Sequence, residues 1–492
     1  MIWRVLENGS GGRFAQGAAA GMAAVAAGTA IIHTGLYDDD AAALFSLLVV
    51  LCSAWLAIAG IWSSDHRRLE VDDSEHDQLT SAVWFSLFGL ALCSLSQLAM
   101  SQSLDRAAVA EACIRWLGVI GLAGLLLYDL QRRKTTRTIS ITRISVLVTS
   151  GVLIGPVTIA GWFGMLPSPL SDGFLLAESD IRVASMGVRL SGFLQYPNAQ
   201  GIFAAAMLLL LLAVGPARSA HPLMKLAAVS LPAPLLLTLL LAESRGAGLA
   251  CIAGFAAGCL LLRGRRLAQW LASAGWASVC AALACRIALA PPAALRLAAL
   301  LGCFAASAIG LAALRSRLLA EGAARPGRAI AASAMLLAAG LAALALLPPQ
   351  QLYARLGAHY ETAASRASLY QEALRLWREA PLLGRGGDTW RQLAGPRFGI
   401  YEVHSGYLDI LLNHGLLGLS LVLLMLGALL TAIWRTGEQR LLLAPMLAML
   451  LHAAIDFDMS YGSWWLLLFA IAGYGINAQA AQADSRSVLQ AS

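Results

Sequence analysis

The chain has 492 residues, 59% hydrophobic and only 13% charged, with a formal net charge of +7 and a mean hydropathy of +0.69. A soluble domain carries about 25% charged residues, so this composition excludes a water-soluble globular protein. The positive balance is almost all arginine, since Lys134 and Lys225 are the only lysines, and guanidinium holds phosphate and carboxylate bidentately.

Apolar runs of about 20 residues recur from end to end, each long enough to cross a hydrocarbon core. Fourteen spans are predicted, near 14–37, 41–62, 80–100, 109–130, 139–163, 199–217, 221–241, 244–262, 267–290, 293–314, 329–347, 405–434, 439–456 and 462–478. The fold class is therefore an all-α polytopic membrane protein in the lipid bilayer. The run from Phe14 to Tyr37 is too long for the apolar part of a cleaved signal peptide and reads as the first span. All eight cysteines fall in apolar runs, with neither a disulfide framework nor a metal-ligand spacing.

Lys and Arg concentrate in QRRKTTR (131–137), RGRR (263–266) and RSRLLAEGAARPGR (315–328), which places those loops and both termini on the cytoplasmic side. The expected layout is N-terminal transmembrane helices (1–163), an extracytoplasmic loop (164–198), central helices (199–347), a large extracytoplasmic loop (348–404), C-terminal helices (405–478) and a cytoplasmic tail (479–492). The large loop holds seven arginines: Arg355, Arg366, Arg375, Arg378, Arg385, Arg391 and Arg397.

Several polar stretches lie on the predicted outer face. YDDD (37–40) offers Asp38–Asp40, which read as a base or as an acidic turn. RLSGFLQYPNAQG (189–201) offers Arg189 and Asn198, with Pro197 breaking the chain before a span. In AESRGAGLA (242–250), Arg245 sits at the outer end of a span; its small neighbours also read as a helix-packing motif. SRASLYQEALRLWREAPLLGRGG predicts an amphipathic helix from about Thr362 to Glu379, with Ala367, Tyr370, Leu374 and Trp377 at helical spacing. Pro381 ends it and Gly384, Gly386 and Gly387 supply a turn, for which phosphate binding is the alternative.

YEVHSGYLDILLNHGLLGLS (401–420) puts ionisable groups against a leucine run. Ser405 is the expected N-cap, with His404 at the outer mouth. Ser405, Asp409, Asn413 and Ser420 follow at intervals of 4, 4 and 7, one stripe of a continuous helix facing inward. Taken alone, the stripe also fits hydrogen-bonded helix packing and His404 an interfacial histidine. DFD (456–458) closes the series with Asp456 and Asp458.

In order and in content, RLSGFLQYPNAQG, SRGAGLA, the loop-helix segment with its Gly-x-Gly, and HSGYLDILLNHGLLG resemble the O-antigen ligase and polymerase superfamily of bacterial membrane glycosyltransferases. HAAIDFDMSYGSWW (452–465) extends the similarity. The resemblance implies a GT-C-like fold in the bacterial cytoplasmic membrane, with the active site outside; the roughly twelve spans of ligases and the fourteen counted give about 12–14 transmembrane helices. It implies transfer of a glycan from an undecaprenyl-diphosphate carrier to a glycan or lipid-linked acceptor, with inversion. His404, Arg245 and Arg366 are then the catalytic candidates: imidazole, with an unperturbed pKa of about 6.5, takes the acceptor proton, and guanidinium meets the diphosphate. Arg189, Asn198, Arg385, Arg391, Asp409 and Asp456 are the substrate-binding candidates. No cofactor, metal or nucleic-acid partner is expected.

A transporter or flippase of an anionic glycolipid is the alternative. It predicts inverted repeats and broken helices at the membrane midplane, and the sequence has no such symmetry. Ligase and polymerase share these motifs and are not separated by them.

Overall fold

The computed structural model describes residues 24–37, 74–99, 105–127, 137–180, 183–215, 221–289, 296–321, 325–357, 360–437 and 439–475, with single positions between 21 and 49. Asp38–Asp40, most of the expected 41–62 span and the 479–492 tail lie outside the described residues. In chain order the elements are α1 (Ser74–Ala99), α2 (Arg106–Leu127), α3 (Arg137–Val152), α4 (Thr158–Trp162), β1 (Leu175–Ala177), β2 (Val188–Leu190), α5 (Pro197–Val214), α6 (Pro222–Ser230), α7 (Pro232–Ala242) and α8 (Arg245–Leu261). There follow α9 (Gly264–Ala288), α10 (Arg296–Glu321), α11 (Pro326–Leu346), α12 (Tyr360–Trp377), α13 (Thr389–Leu393), α14 (Gly395–Phe398), α15 (Gly406–Arg435), α16 (Leu443–Ala453) and α17 (Gly462–Gly475).

Among the described residues, eight helices are long and apolar enough to cross a membrane, or nine if α6 and α7 count as one bent span. Three further apolar helices, including α8 and α17, are shorter. The expected single span at 221–241 is instead α6 and α7, bent by 48°. Pro232 and Pro234 begin α7, and proline cannot extend an incoming helix without loss of a hydrogen bond. The outer segment 164–198 contains an antiparallel hairpin that periodicity did not foresee, with Leu176 paired to Arg189.

The chain divides into two compact units. The first holds residues 1–146, 361–440 and 453–492. Here α15 packs along α1, and a Cβ at Gly89 would come within 2.9 Å of Leu421. Leu369, Ala373 and Leu376 of α12 bury against Trp390, Val403 and Leu412, which folds the large loop onto the start of α15. The buried face of α12 is therefore offset from the expected one. Tyr370 and Trp377 join it, whereas Ala367 and Leu374 stay exposed.

The long helix α15 is not continuous. Gly415 has φ 64° and ψ −164°, a conformation open essentially to glycine alone. A break inside an apolar helix frees backbone groups that lipid cannot satisfy. Here the loop after α12 satisfies them: Arg385 N and Gly386 N donate to the Leu412 and Asn413 carbonyls at 3.2 and 3.1 Å. In return, Leu416 N and Leu417 N donate to the Pro381 and Leu382 carbonyls at 2.9 and 3.1 Å. The fit is tight, since a Cβ on Gly415 would lie 2.3 Å from the Leu382 carbonyl oxygen. The expected glycine turn is present, and it plugs a broken helix with the amides its phosphate alternative would need. One expectation is corrected: Ser420, beyond the break, is exposed rather than part of an inward stripe.

The second unit holds residues 147–360 and 441–452. Its centre is α5, whose apolar window is 89% buried, whereas those of α10 and α11 are 17% and 11% buried. Leu301, Ile309, Met335 and Leu341 are thus exposed to the surroundings, as lipid-facing side chains must be. Gly275 of α9 and Gly340 of α11 meet so closely that a Cβ on Gly340 would lie 2.5 Å from the Gly275 carbonyl oxygen. Small residues at such crossings let helix backbones approach within the bilayer.

Candidate active site

In the first unit, His404 lies one residue before α15. Ser405 caps that helix, its Oγ accepting from Leu408 N at 3.4 Å. His404 itself has φ 53°, a left-handed conformation that costs an L-residue about 1–2 kcal/mol. Its carbonyl accepts from the Tyr370 hydroxyl at 2.8 Å, so α12 holds the backbone in this state. The strain aims the imidazole at Asp456, with Nδ1 3.2 Å from Oδ1.

Asp456 is 1% exposed, and Arg366 approaches its other oxygen, Nη2 to Oδ2, at 3.5 Å. Arg366 also donates from Nη1 to the Ile455 carbonyl at 2.6 Å. The Phe457 amide donates to Asp456 Oδ1 at 3.0 Å, and Gly406 N donates to the Asp456 carbonyl at 2.9 Å. A buried carboxylate is costly unless paired and hydrogen-bonded; Asp456 is both. An ionised carboxylate only accepts, so the contact requires the proton on His404 Nδ1 and leaves Nε2 with its lone pair. His404 is 21% exposed and Arg366 27%, so the buried acid presents a base and a cation at an accessible surface.

Three chain segments thus meet: α12, the residue before α15, and the turn before α17. Sequence reasoning put His404 and Arg366 in one site but did not join Asp456 to them. It missed Tyr370 as a brace, having read it only as part of an apolar stripe. Its position four residues after Arg366, on the same helical face, was the available signal.

The other candidates in this unit lie elsewhere. Arg385 pairs with Glu379. Arg391 donates from Nη2 to Glu402 Oε1 at 3.1 Å and to the Tyr37 hydroxyl at 3.2 Å, and that hydroxyl donates to Glu402. Burial pushes the Glu402 carboxyl above the usual range, with Arg391 opposing it. Asp409 accepts from Asn413 Nδ2 at 3.1 Å, and Asn413 Oδ1 accepts from Thr389 N at 3.1 Å. Arg391, Glu402, Asp409 and Asn413 line a cavity of ≈ 130 Å³ together with Tyr37 and Arg115.

In the second unit, Arg189 is 5% exposed and brought to Asn198, its Nη2 donating to Oδ1 at 2.9 Å. Its Nε donates to the Ala242 carbonyl at 3.0 Å, at the end of α7. Beyond that carbonyl, Glu243 turns through φ 48° and Ser244 caps α8, accepting from Ala247 N at 3.3 Å. Arg189 therefore anchors the turn that delivers Arg245, the first residue of α8. The packing reading of SRGAGLA holds for Ala247, whose Cβ would lie 3.1 Å from a Cβ on Gly201.

Residues 286–423 match the family model described as O-antigen ligase. The match includes Arg366, His404 and the plugged helix break, and it supports an O-antigen ligase-like membrane glycosyltransferase. Among curated proteins, none matches the chain.

Proposed function

We propose that this chain, whose residues 286–423 match the O-antigen ligase family model, moves a glycan from an undecaprenyl-diphosphate carrier to an acceptor hydroxyl outside the cytoplasmic membrane. The observation that carries this reading is the shared grip of one buried carboxylate, Asp456, on an imidazole and a guanidinium.

His404 Nε2 takes the acceptor O–H proton as the acceptor oxygen bonds to the anomeric carbon. The anomeric C–O bond breaks, and its electron pair leaves with the diphosphate on its polyprenyl chain. Attack opposite the leaving group inverts the anomeric centre. Asp456 fixes the tautomer beforehand and stabilises the imidazolium afterwards, as an orienting acid does in hydrolase triads. This is a role different from the substrate contact expected of it. Arg366 keeps further N–H groups for the phosphate oxygens. Guanidinium supplies the charge that a metal ion supplies in other transferases, so the reaction is assigned as metal-independent.

The transporter alternative gains little from the two interrupted helices. Carbonyls at the Gly415 break are occupied by backbone amides, and at the α6–α7 bend Leu231 N and Leu235 N keep their helical bonds at 2.9 and 3.0 Å. The Gly415 break therefore offers no open carbonyls of the kind by which transporters hold ions.

The test is incubation of the purified protein with lipid-linked repeat unit, with and without acceptor. Glycan leaves the carrier in the wild type, and turnover falls by about 10²–10⁴-fold in His404→Ala, the usual contribution of a general base. Products of increasing length from lipid-linked repeat unit alone identify a polymerase; dependence on a separate acceptor identifies a ligase. Normal turnover in His404→Ala removes the mechanism.

A further inference from the structure

The cavity in the first unit is separate from the His404–Asp456–Arg366 cluster but adjoins it. Tyr37 lines it, and Phe457 stands between, its ring centroid 5.9 Å from that of Tyr37 and 5.4 Å from that of His404. At ≈ 130 Å³ it far exceeds the roughly 15 Å³ that one water requires.

Its charges do not suit a diphosphate. Two guanidiniums, Arg115 and Arg391, face four carboxyl groups, Glu111, Asp388, Glu402 and Asp409, so no surplus of positive charge remains. Arg115 is tied back as well, Nη2 donating to the Tyr37 carbonyl at 3.0 Å. What the walls offer is a density of directional donors and acceptors beside two indoles, Trp116 and Trp465.

One donor is left over. His414 is 4% exposed and lines the cavity. Its Nε2 accepts from Trp116 Nε1 at 2.9 Å, so a neutral ring carries its proton on Nδ1. That atom is buried with no hydrogen-bond partner among the described residues. A buried unmade hydrogen bond costs about 1–3 kcal/mol, and the wall of the cavity carries that cost.

We infer that this cavity is a saccharide subsite, taking one neutral sugar residue whose hydroxyls bond the carboxyl and amide groups of its walls. Carboxylates and an amide beside indoles fit a polyhydroxylated ring and reject a diphosphate. The inference rests on the glycan-transfer reading for the origin of that sugar, which belongs either to the glycan being moved or to the acceptor.

The experiment uses the full chain in lipid nanodiscs free of sugar-based detergent. Saccharides are released from the producing cell's envelope by mild acid and separated into repeat-unit and acceptor fractions. The expected result is binding of one fraction, whose identity names the source, weakened at least tenfold in Ala112→Leu, which fills the cavity. The charge-only variant Glu111→Gln weakens binding in the same direction, and Arg375→Ala, in the exposed ion-pair network of α12, binds as the wild type does. Absence of binding by both fractions overturns the subsite, as does equal binding by wild type and both cavity variants. Turnover of lipid-linked glycan on the same preparation separates the claims: turnover without binding removes the subsite alone, and binding without turnover removes the transferase reading alone.

Discussion

Arg366 and Arg375 stand on the same helix and carry the same charge, yet they do different work. Arg375 bonds Glu372 through Nε and Nη2 at 3.0 and 2.9 Å and Glu379 through Nη1 at 2.8 Å, with its side chain 55% exposed. Arg397 joins Glu372 at 3.3 Å, and these cations hold the Glu372 carboxyl below the ordinary range, Arg375 foremost. Every member of that network comes from the large loop and all but Glu372 face solvent, where ion pairs contribute little. Arg366 instead meets an acid that is 1% exposed and ninety positions later in the chain, and the same acid holds His404. The difference teaches that an arginine's neighbours in space, and their burial, separate a site from a solvated face.

The comparison breaks most sharply at Asp456. Asp456→Asn keeps the shape but offers an amide, which donates to Nδ1 and moves the imidazole proton to Nε2, where a base is needed. Turnover should fall by about 10²-fold or more with expression and Tm preserved; near-normal turnover would reduce Asp456 to a packing role. Arg366→Lys tests the fork next. A point charge cannot span the Ile455 carbonyl, Asp456 and a phosphate together, so kcat/KM should fall by about tenfold, and an unchanged value would return Arg366 to the solvated class. The surface network should give the smallest effects. Arg375→Ala and Arg397→Ala should leave turnover and Tm near wild type, and EDTA should leave turnover unchanged. Strong inhibition by EDTA, reversed by a divalent cation, would transfer the charge-stabilising role from arginine to a metal.

Much of this was legible in the residues because local rules governed it. The serine before α15 capped it as side-chain chemistry requires, and the loop helix formed where its periodicity placed it. His404, Arg366 and Asp456 were all visible as charged groups beside apolar runs. Their pairing was not visible, because helical spacing relates only near neighbours and Asp456 reaches His404 through a turn folded back from a different segment. The break at Gly415 was hidden for a related reason. Unbroken leucine patterning runs across it, and only the docked loop, with amides matched to the released carbonyls, makes an interruption affordable there.

By itself, the sequence determined that this chain lives in a bilayer and which ionisable groups sit at the ends of its apolar runs; hydropathy, capping and turn chemistry act over a few residues and can be read in order. Tertiary structure alone decided which of those groups share one buried carboxylate, which are spent on exposed ion pairs, and which line a cavity with an unmet donor. The physical reason is that burial sets the strength of an electrostatic contact, and burial belongs to the packed molecule rather than to any stretch of its chain.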